Sequence, residues 1–209
     1  MKTIPMIFNQ EMVNSLVDGR KTVTRRPMKP EIKDHNFGCF LKAFEVAGEV
    51  NNFDYENSAF KPGDLIWVRE SFKAELNAFN DLNGDYLLIY IADDGCNLIN
   101  PNNENNDKLA NLVNKKGLTP SIHMPRWASR LTLRVTAVRC ERVQNIDKEQ
   151  AEKEGVRPTG CTKGFWVKAY QMLWDSIYSN WDLNPWVWVV EFEVIHKNID
   201  KVIKENENV

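Results

Sequence analysis

Five of the ten residues from Arg20 to Lys29 are basic and none is acidic: Arg20, Lys21, Arg25, Arg26 and Lys29, with Thr22 and Thr24 among them. Such a cluster recognises anions, because arginine presents paired N–H donors and lysine a compact positive charge. A threonine hydroxyl beside them can donate a hydrogen bond or act as a nucleophile. If Lys21 to Arg26 is extended, Lys21, Val23 and Arg25 face one way and Thr22, Thr24 and Arg26 the other. A turn would instead bring Lys21 and Thr24 together. A solvated basic turn is the reading without chemistry.

Three further groups could bear on a site. Trp67, Arg69, Glu70 and Ser71 lie on one predicted strand, where adjacent Arg69 and Glu70 must leave opposite faces. One of them is expected to be buried and paired, and an Arg–Glu ion pair holding a sheet is the plain alternative. Met124 to Arg130 (MPRWASR) places Arg126, Trp127 and Arg130 on a loop, where arginine can hold phosphate and tryptophan can stack a base. Otherwise Trp127 plugs the core and the arginines are solvated. Arg134, Arg139 and Arg142 extend the basic character, diluted by Glu141. Finally, Glu149, Glu152 and Glu154 sit on a short predicted helix ending at Gly155. A helix C-terminus disfavours a carboxylate, so Glu154 needs a compensating cation or a function unless it is simply solvated.

These residues hang on a recognisable series of elements. Ile4 to Phe8 is a short apolar strand, Asn9 caps a helix over Gln10–Val17, and Gly19 stops it. Strands are predicted over Asp64–Phe72, Tyr86–Ala92, Leu131–Val143 and Trp186–Ile195. Asp147 and Gln150 form the start of the short helix, and Phe165 to Tyr178 is the clearest helix, with Trp166, Tyr170, Leu173, Trp174 and Ile177 as its apolar stripe. Residues 28–60 show no sustained period. Residues 93–107 carry six Asn from Asn97 to Asn106 and no Lys or Arg, and read as a solvated loop. The tail from Lys197 is polar and is expected to fray. Strands at both ends and in the middle, without regular alternation with helices, predict an α+β chain built on a mixed, mainly antiparallel barrel. We expect one elaborated domain over 1–196, with inserts near 28–60 and 93–122 and a polar tail over 197–209.

Composition narrows the function classes. The 209 residues carry 27 basic and 29 acidic side chains, a net charge of −2, which excludes a bulk basic protein but not a local basic site. No run of about 18 apolar residues suits a membrane span, and the N-terminal residues lack an apolar signal core, so a cytoplasmic protein is expected. Cys39, Cys96, Cys140 and Cys161 form no CxxC pair and read as free thiols, mostly buried. His35 and Cys39 have no second ligand pair nearby, so neither a metal nor a cofactor is expected. No P-loop, dinucleotide fingerprint, zincin or nucleophile-elbow motif occurs.

GRKTVTRR (Gly19–Arg26), KPGDLIWVRE (Lys61–Glu70), MPRWASRLTLRVTAVRCERV (Met124–Val143) and AEKEGV (Ala151–Val156) occur in the order seen in the ASCH domain family, which the chain resembles. The NPWVWVVEFE ending at Asn184–Glu193 is similar to that of its phage- and prophage-encoded branch, which implies the host cytoplasm if the chain is phage-encoded. The resemblance implies a small PUA-like β-barrel with surrounding helices and a basic cleft for RNA, a nucleotide or a modified nucleoside. Small members of the family are amidohydrolases that deacetylate N4-acetylcytidine. Their lysine, threonine and glutamate match Lys21, Thr24 and Glu154, which implies that Lys21 accepts the Thr24 proton while Glu154 orients the lysine or shuttles a proton. Arg20, Thr22, Arg25, Arg26, Trp67, Arg69, Glu70, Arg126, Trp127 and Arg130 are the matching candidates for holding substrate or single-stranded RNA. This chain is about twice the size of those compact enzymes, so its inserts could widen or replace their pocket.

Overall fold

The computed structural model describes residues 1–34, 38–47, 58–76, 86–99, 106–114 and 117–207. In chain order the elements are β1 (Thr3–Ile7), α1 (Gln10–Val17), β2 (Val23–Pro27), β3 (Glu31–Lys33), β4 (Phe40–Lys42), α2 (Ala43–Ala47), β5 (Leu65–Arg69), β6 (Phe72–Leu76), β7 (Tyr86–Tyr90), β8 (Cys96–Ile99), α3 (Asn106–Asn114), β9 (Thr132–Arg142), α4 (Lys148–Lys153), α5 (Trp166–Tyr178), β10 (Trp186–Ile195) and α6 (Ile199–Glu207). The chain is therefore mixed α+β, with six α-helices among the described residues and mostly antiparallel sheets. No helix among the described residues is long and apolar enough to cross a membrane.

The chain divides into two compact units. The first comprises Met1–Thr3, Ser15–Leu65 and Leu133–Val194. In it β2 runs antiparallel to β10, with Val189 opposite Arg25 and Val190 opposite Thr24, and β9 lies on the other side of β10. Val187 and Val189 are fully buried and join Val23, Val143, Ile146, Tyr170, Trp174 and Trp181 in one apolar cluster. That cluster is what draws α4 and α5 onto the sheet. Asp147 caps α4 by accepting from the Gln150 amide at 2.8 Å, as its spacing predicts. Along α5 the stripe holds at Trp166, Tyr170 and Trp174, but Ile177 is 43% exposed.

The second unit comprises Ile4–Asn14, Ile66–Thr132 and Ile195–Val209. There β6, β7 and β8 form an antiparallel meander, and β1 neighbours β5. Phe72, Leu88, Tyr90, Leu109 and Met124 form its fully buried core. At its start Asn9 caps α1, accepting from the Met12 amide at 2.9 Å.

Several expectations need correction. The 93–107 stretch is not structureless: Cys96–Ile99 is a strand, held against β7, and Asn97 donates to the buried Tyr90 hydroxyl at 3.2 Å. The tail does not fray at Lys197, because Ile199 and Val202 are buried and Asn198 accepts from the Asp200 amide to start α6. Within 28–60, β3 and β4 pair as a hairpin and α2 follows. The four cysteines are free, but Cys39, Cys96 and Cys161 are exposed and Cys140 only partly buried, so they are not core residues. His35 lies outside the described residues, as do residues 36–37, 48–57, 100–105 and 115–116 of the two predicted inserts.

Candidate functional site

The first unit brings the basic segment and Glu154 together. The last turn of α4 leaves carbonyls without helical partners, and residues 15–22 supply donors to them. The Thr22 amide donates to Lys153 O at 2.9 Å. Lys21 Nζ donates to Glu154 O at 2.9 Å, and Ser15 Oγ and Arg20 Nη1 donate to Gly155 O at 3.0 and 2.9 Å. Two of these donors are cations at a helix C-terminus, where the helix dipole favours positive charge. Arg20 also pairs with Asp18 at the surface at 2.9 Å.

Beneath this cap lies a buried ionic centre. Lys21 Nζ is 2.6 Å from Glu154 Oε2, and Arg25 Nη1 is 3.2 Å from Glu154 Oε1. Arg25 also donates to Glu141 Oε1, from Nη2 at 2.5 Å and Nε at 3.1 Å, and to Gln150 Oε1. Its guanidinium lies over the Tyr170 ring, 5.9 Å from the centroid. Lys21, Thr24, Arg25 and Glu154 are 0%, 1%, 2% and 3% exposed. Burial pulls the Lys21 pKa below its usual value although Glu154 opposes it. For Arg25 burial acts in the same direction, but Glu154 and Glu141 outweigh it and the guanidinium stays charged. Burial pushes the Tyr170 hydroxyl well above its usual range. The centre holds a lysine whose pKa burial lowers within hydrogen-bond reach of a carboxylate, the geometry that general acid–base work needs.

Thr24 occupies a different face. It lies opposite Val190 in the β2–β10 register, one residue from Arg25, so strand alternation sends its side chain away from the face that carries Val23 and Arg25. Thr22 is exposed, and Arg26 donates to the Tyr178 hydroxyl at 3.5 Å. Gln150, Glu141, Ser15 and Tyr170 were not singled out as site residues in the sequence. The one signal for Glu141 is its break in the Arg134–Arg142 run.

Gly155 closes the centre. Its φ of +82° favours glycine, and a Cβ there would lie 2.5 Å from Ser15 Cβ and 3.0 Å from Lys21 Cβ. Gly155→Ala is expected to cost about 2 kcal/mol from backbone strain and contact combined. Urea denaturation checks this, and an unchanged midpoint would show that the turn can relax.

The other candidates belong to the second unit. Glu70, 2% exposed, accepts from Arg130 Nε and Nη2 at 2.9 Å each, and Arg130 also donates to both Asp93 oxygens at 3.0 and 2.8 Å. The buried partner of an arginine is thus Glu70, and that arginine is Arg130, not the adjacent Arg69. Arg130 lies 4.2 Å over the Tyr90 ring, whose hydroxyl pKa burial pushes up to about 12. Arg69 stacks on Trp67 at 5.5 Å and donates to Ile122 O, while its Nε is buried without a hydrogen-bond partner. Trp127 packs half-buried against the second core with its Nε1 likewise unpartnered. Arg126 pairs with Asp200 at 2.7 Å, and Asn198 Nδ2 bonds the carbonyls of Arg126, Trp127 and Ser129. The Met124–Arg130 loop is therefore held by its own unit at six of its residues, since Met124 Sδ also accepts from the Glu70 amide and Ala128 O from the Tyr90 hydroxyl.

No family model, no curated protein and no solved structure matches the chain.

Proposed function

We propose that the chain recognises a modified nucleoside, a nucleotide or single-stranded nucleic acid, and that its sheets belong to a PUA-like barrel of the ASCH type. The observation that carries this reading is the pairing of arginine with aromatic rings at partly exposed positions of the first unit. Arg142 lies 4.6 Å over the Trp186 ring, and Arg26 reaches the Tyr178 hydroxyl. Guanidinium planes and aromatic rings are the surfaces on which unpaired bases stack. Lys21 and Arg25 contribute from inside, by fixing β2 against α4, and do not themselves face solvent. Wild type should bind a short oligouridylate, more weakly as salt rises. Arg142→Ala should weaken that binding, and absence of binding at low salt would overturn the reading.

Amide hydrolysis of an N4-acylated cytidine is the second reading, favoured by the 2.6 Å contact between Lys21 and Glu154. Water would add its hydroxyl to the acyl carbon and its proton to the leaving amine, giving acetate and cytidine from N4-acetylcytidine. Lys21 in its neutral form would take the proton and Glu154 would hold the resulting ammonium. Because both are buried, a substrate would reach them only through a local opening of the chain around the centre. Mass spectrometry of N4-acetylcytidine incubations should show acetate release by wild type and none by Lys21→Ala. Thr24→Val separates two routes: lost turnover makes Thr24 the nucleophile, and retained turnover leaves water in that role.

A further inference from the structure

A cavity of about 360 Å³ opens between the start of α4 and the start of α5, lined by Lys148, Gly164, Phe165, Trp166, Val167 and Lys168. Its size falls at the small end of ligand pockets. Phe165 is 66% exposed, an unusual position for a large apolar ring beside a concave surface. Trp166 contributes a second ring while packing inward against the first core. Two ammonium groups and no carboxylate line the cavity. Their existing partners are weak competitors. Lys148 is 3.9 Å from Glu152 across solvent, and Lys168 bonds the neutral amide of Gln171 at 3.1 Å. The first turn of α5 has no side-chain cap and no acidic residue, so its field adds to that of the lysines.

From this juxtaposition we infer a nucleotide subsite, with a base stacked on Phe165 and Trp166 and its phosphate held by Lys148 and Lys168. The inference rests on the nucleic-acid reading above and extends it with a ligand class and a place. An aromatic floor alone would take any planar apolar group. The paired ammonium groups select one that carries an anion, which a base with its phosphate does and a bare nucleoside does not. α4 links this subsite to the buried centre, since Lys148 begins the helix and Gln150 and Glu154 contact Arg25 and Lys21 from it. The six residues of α4 span about 9 Å, less than the length of two extended nucleotides.

The test compares uridine, uridine 5′-monophosphate and a short fluorescein-labelled oligouridylate, titrated against wild type, Phe165→Ala, Lys148→Gln/Lys168→Gln and Arg142→Ala. All four substituted side chains are at least partly exposed, and circular dichroism checks that each variant folds. Phe165→Ala should weaken oligonucleotide binding on the order of ten-fold, the usual loss for one stacked base. The double lysine variant should reduce the slope of log K against log salt by about 1.4, from two phosphate-neutralising cations on a single strand. Monophosphate binding that exceeds uridine binding and is lost in the lysine variant assigns the subsite to free nucleotides. Binding of the oligonucleotide alone, with the same losses, assigns it to a strand. If Arg142→Ala impairs binding while the Phe165 and lysine variants match wild type, the subsite is refuted and the recognition reading stands. If wild type binds none of the three, both fall.

Discussion

Glu154→Gln is expected to lower the unfolding free energy by about 3–5 kcal/mol, the cost of removing the carboxylate from a buried ion pair. The carboxylate serves two cations whose side chains are fully buried, Lys21 at 2.6 Å and Arg25 at 3.2 Å. Glutamine keeps the shape but leaves Lys21 facing a neutral amide and Arg25 with Glu141 as its one carboxylate. Lys21→Met is expected to cost less, because Glu154 then still holds Arg25 and one buried charge has been removed with its desolvation. The ranking of the two variants by urea denaturation is the check. A Glu154→Gln loss no greater than that of Lys21→Met would show that Arg25 and Lys21 find other acceptors.

The same pair fixes a pH dependence. Burial lowers the folded-state pKa of Lys21 below 10.5, so the folded chain releases this proton before the unfolded chain does. Between the lowered value and 10.5 the unfolded state binds more protons, and stability rises with pH across that window. The contribution is complete above 10.5 and is lost as pH falls through the lowered value. Wild type should therefore gain on Lys21→Met as pH is raised from neutral towards 10.5. Burial pushes the Cys140 thiol and the Tyr90 hydroxyl up to about 12, which acts in the opposite sense, but both groups are present in both proteins and cancel in the difference. A difference that stays flat with pH would show that Lys21 remains fully charged.

An extended Lys21–Arg26 would place Lys21, Val23 and Arg25 on one face, with a turn as the alternative; β2 begins only at Val23, and Lys21 and Arg25 meet the same carboxylate. Helix electrostatics offered Glu154 a compensating cation, a function or simple solvation, and the structure gives it two cations and burial. What periodicity cannot supply is the partner from a distant strand. Glu141 lies 116 residues from Arg25, and its role follows from where β9 is placed in the sheet. Composition misled in two places for related reasons. β8 opens an asparagine-rich stretch, yet Cys96–Ile99 pairs with β7 and Asn97 finds the Tyr90 hydroxyl. α6 is mostly charged, yet burial of Ile199 and Val202, three residues apart, is enough to seat it. In both, a few contacts decide what an average over the segment conceals.

Arg130→Leu is expected to be the second severe substitution, costing about 3–5 kcal/mol at neutral pH, because it strands a buried carboxylate. Glu70 is 2% exposed, and both of its oxygens accept from Arg130. Burial already raises the Glu70 pKa above 4.5, and the hydrogen bonds and charge of Arg130 oppose that rise. Removing the guanidinium lets it rise further. Between 4.5 and the raised value the folded chain holds a proton that the unfolded chain has released, so stability falls as pH rises through this window. The contribution is whole below 4.5. In Arg130→Leu the window widens, so its deficit against wild type should be smallest in acid and grow towards neutral pH. Asp93, on the solvent side of the same guanidinium, has its pKa held down by Arg130 against the effect of burial. Loss of that bond also costs the variant more at neutral pH than in acid, so the two carboxylates act in the same sense. Replacing both members of the inner pair, as Glu70→Met with Arg130→Leu, should recover much of the loss and remove the Glu70 part of the pH dependence, leaving only the part from Asp93, since no lone buried charge remains. A deficit that does not vary with pH, or a double variant as weak as Arg130→Leu alone, would place the cost in lost packing over the Tyr90 ring, where Arg130 lies at 4.2 Å.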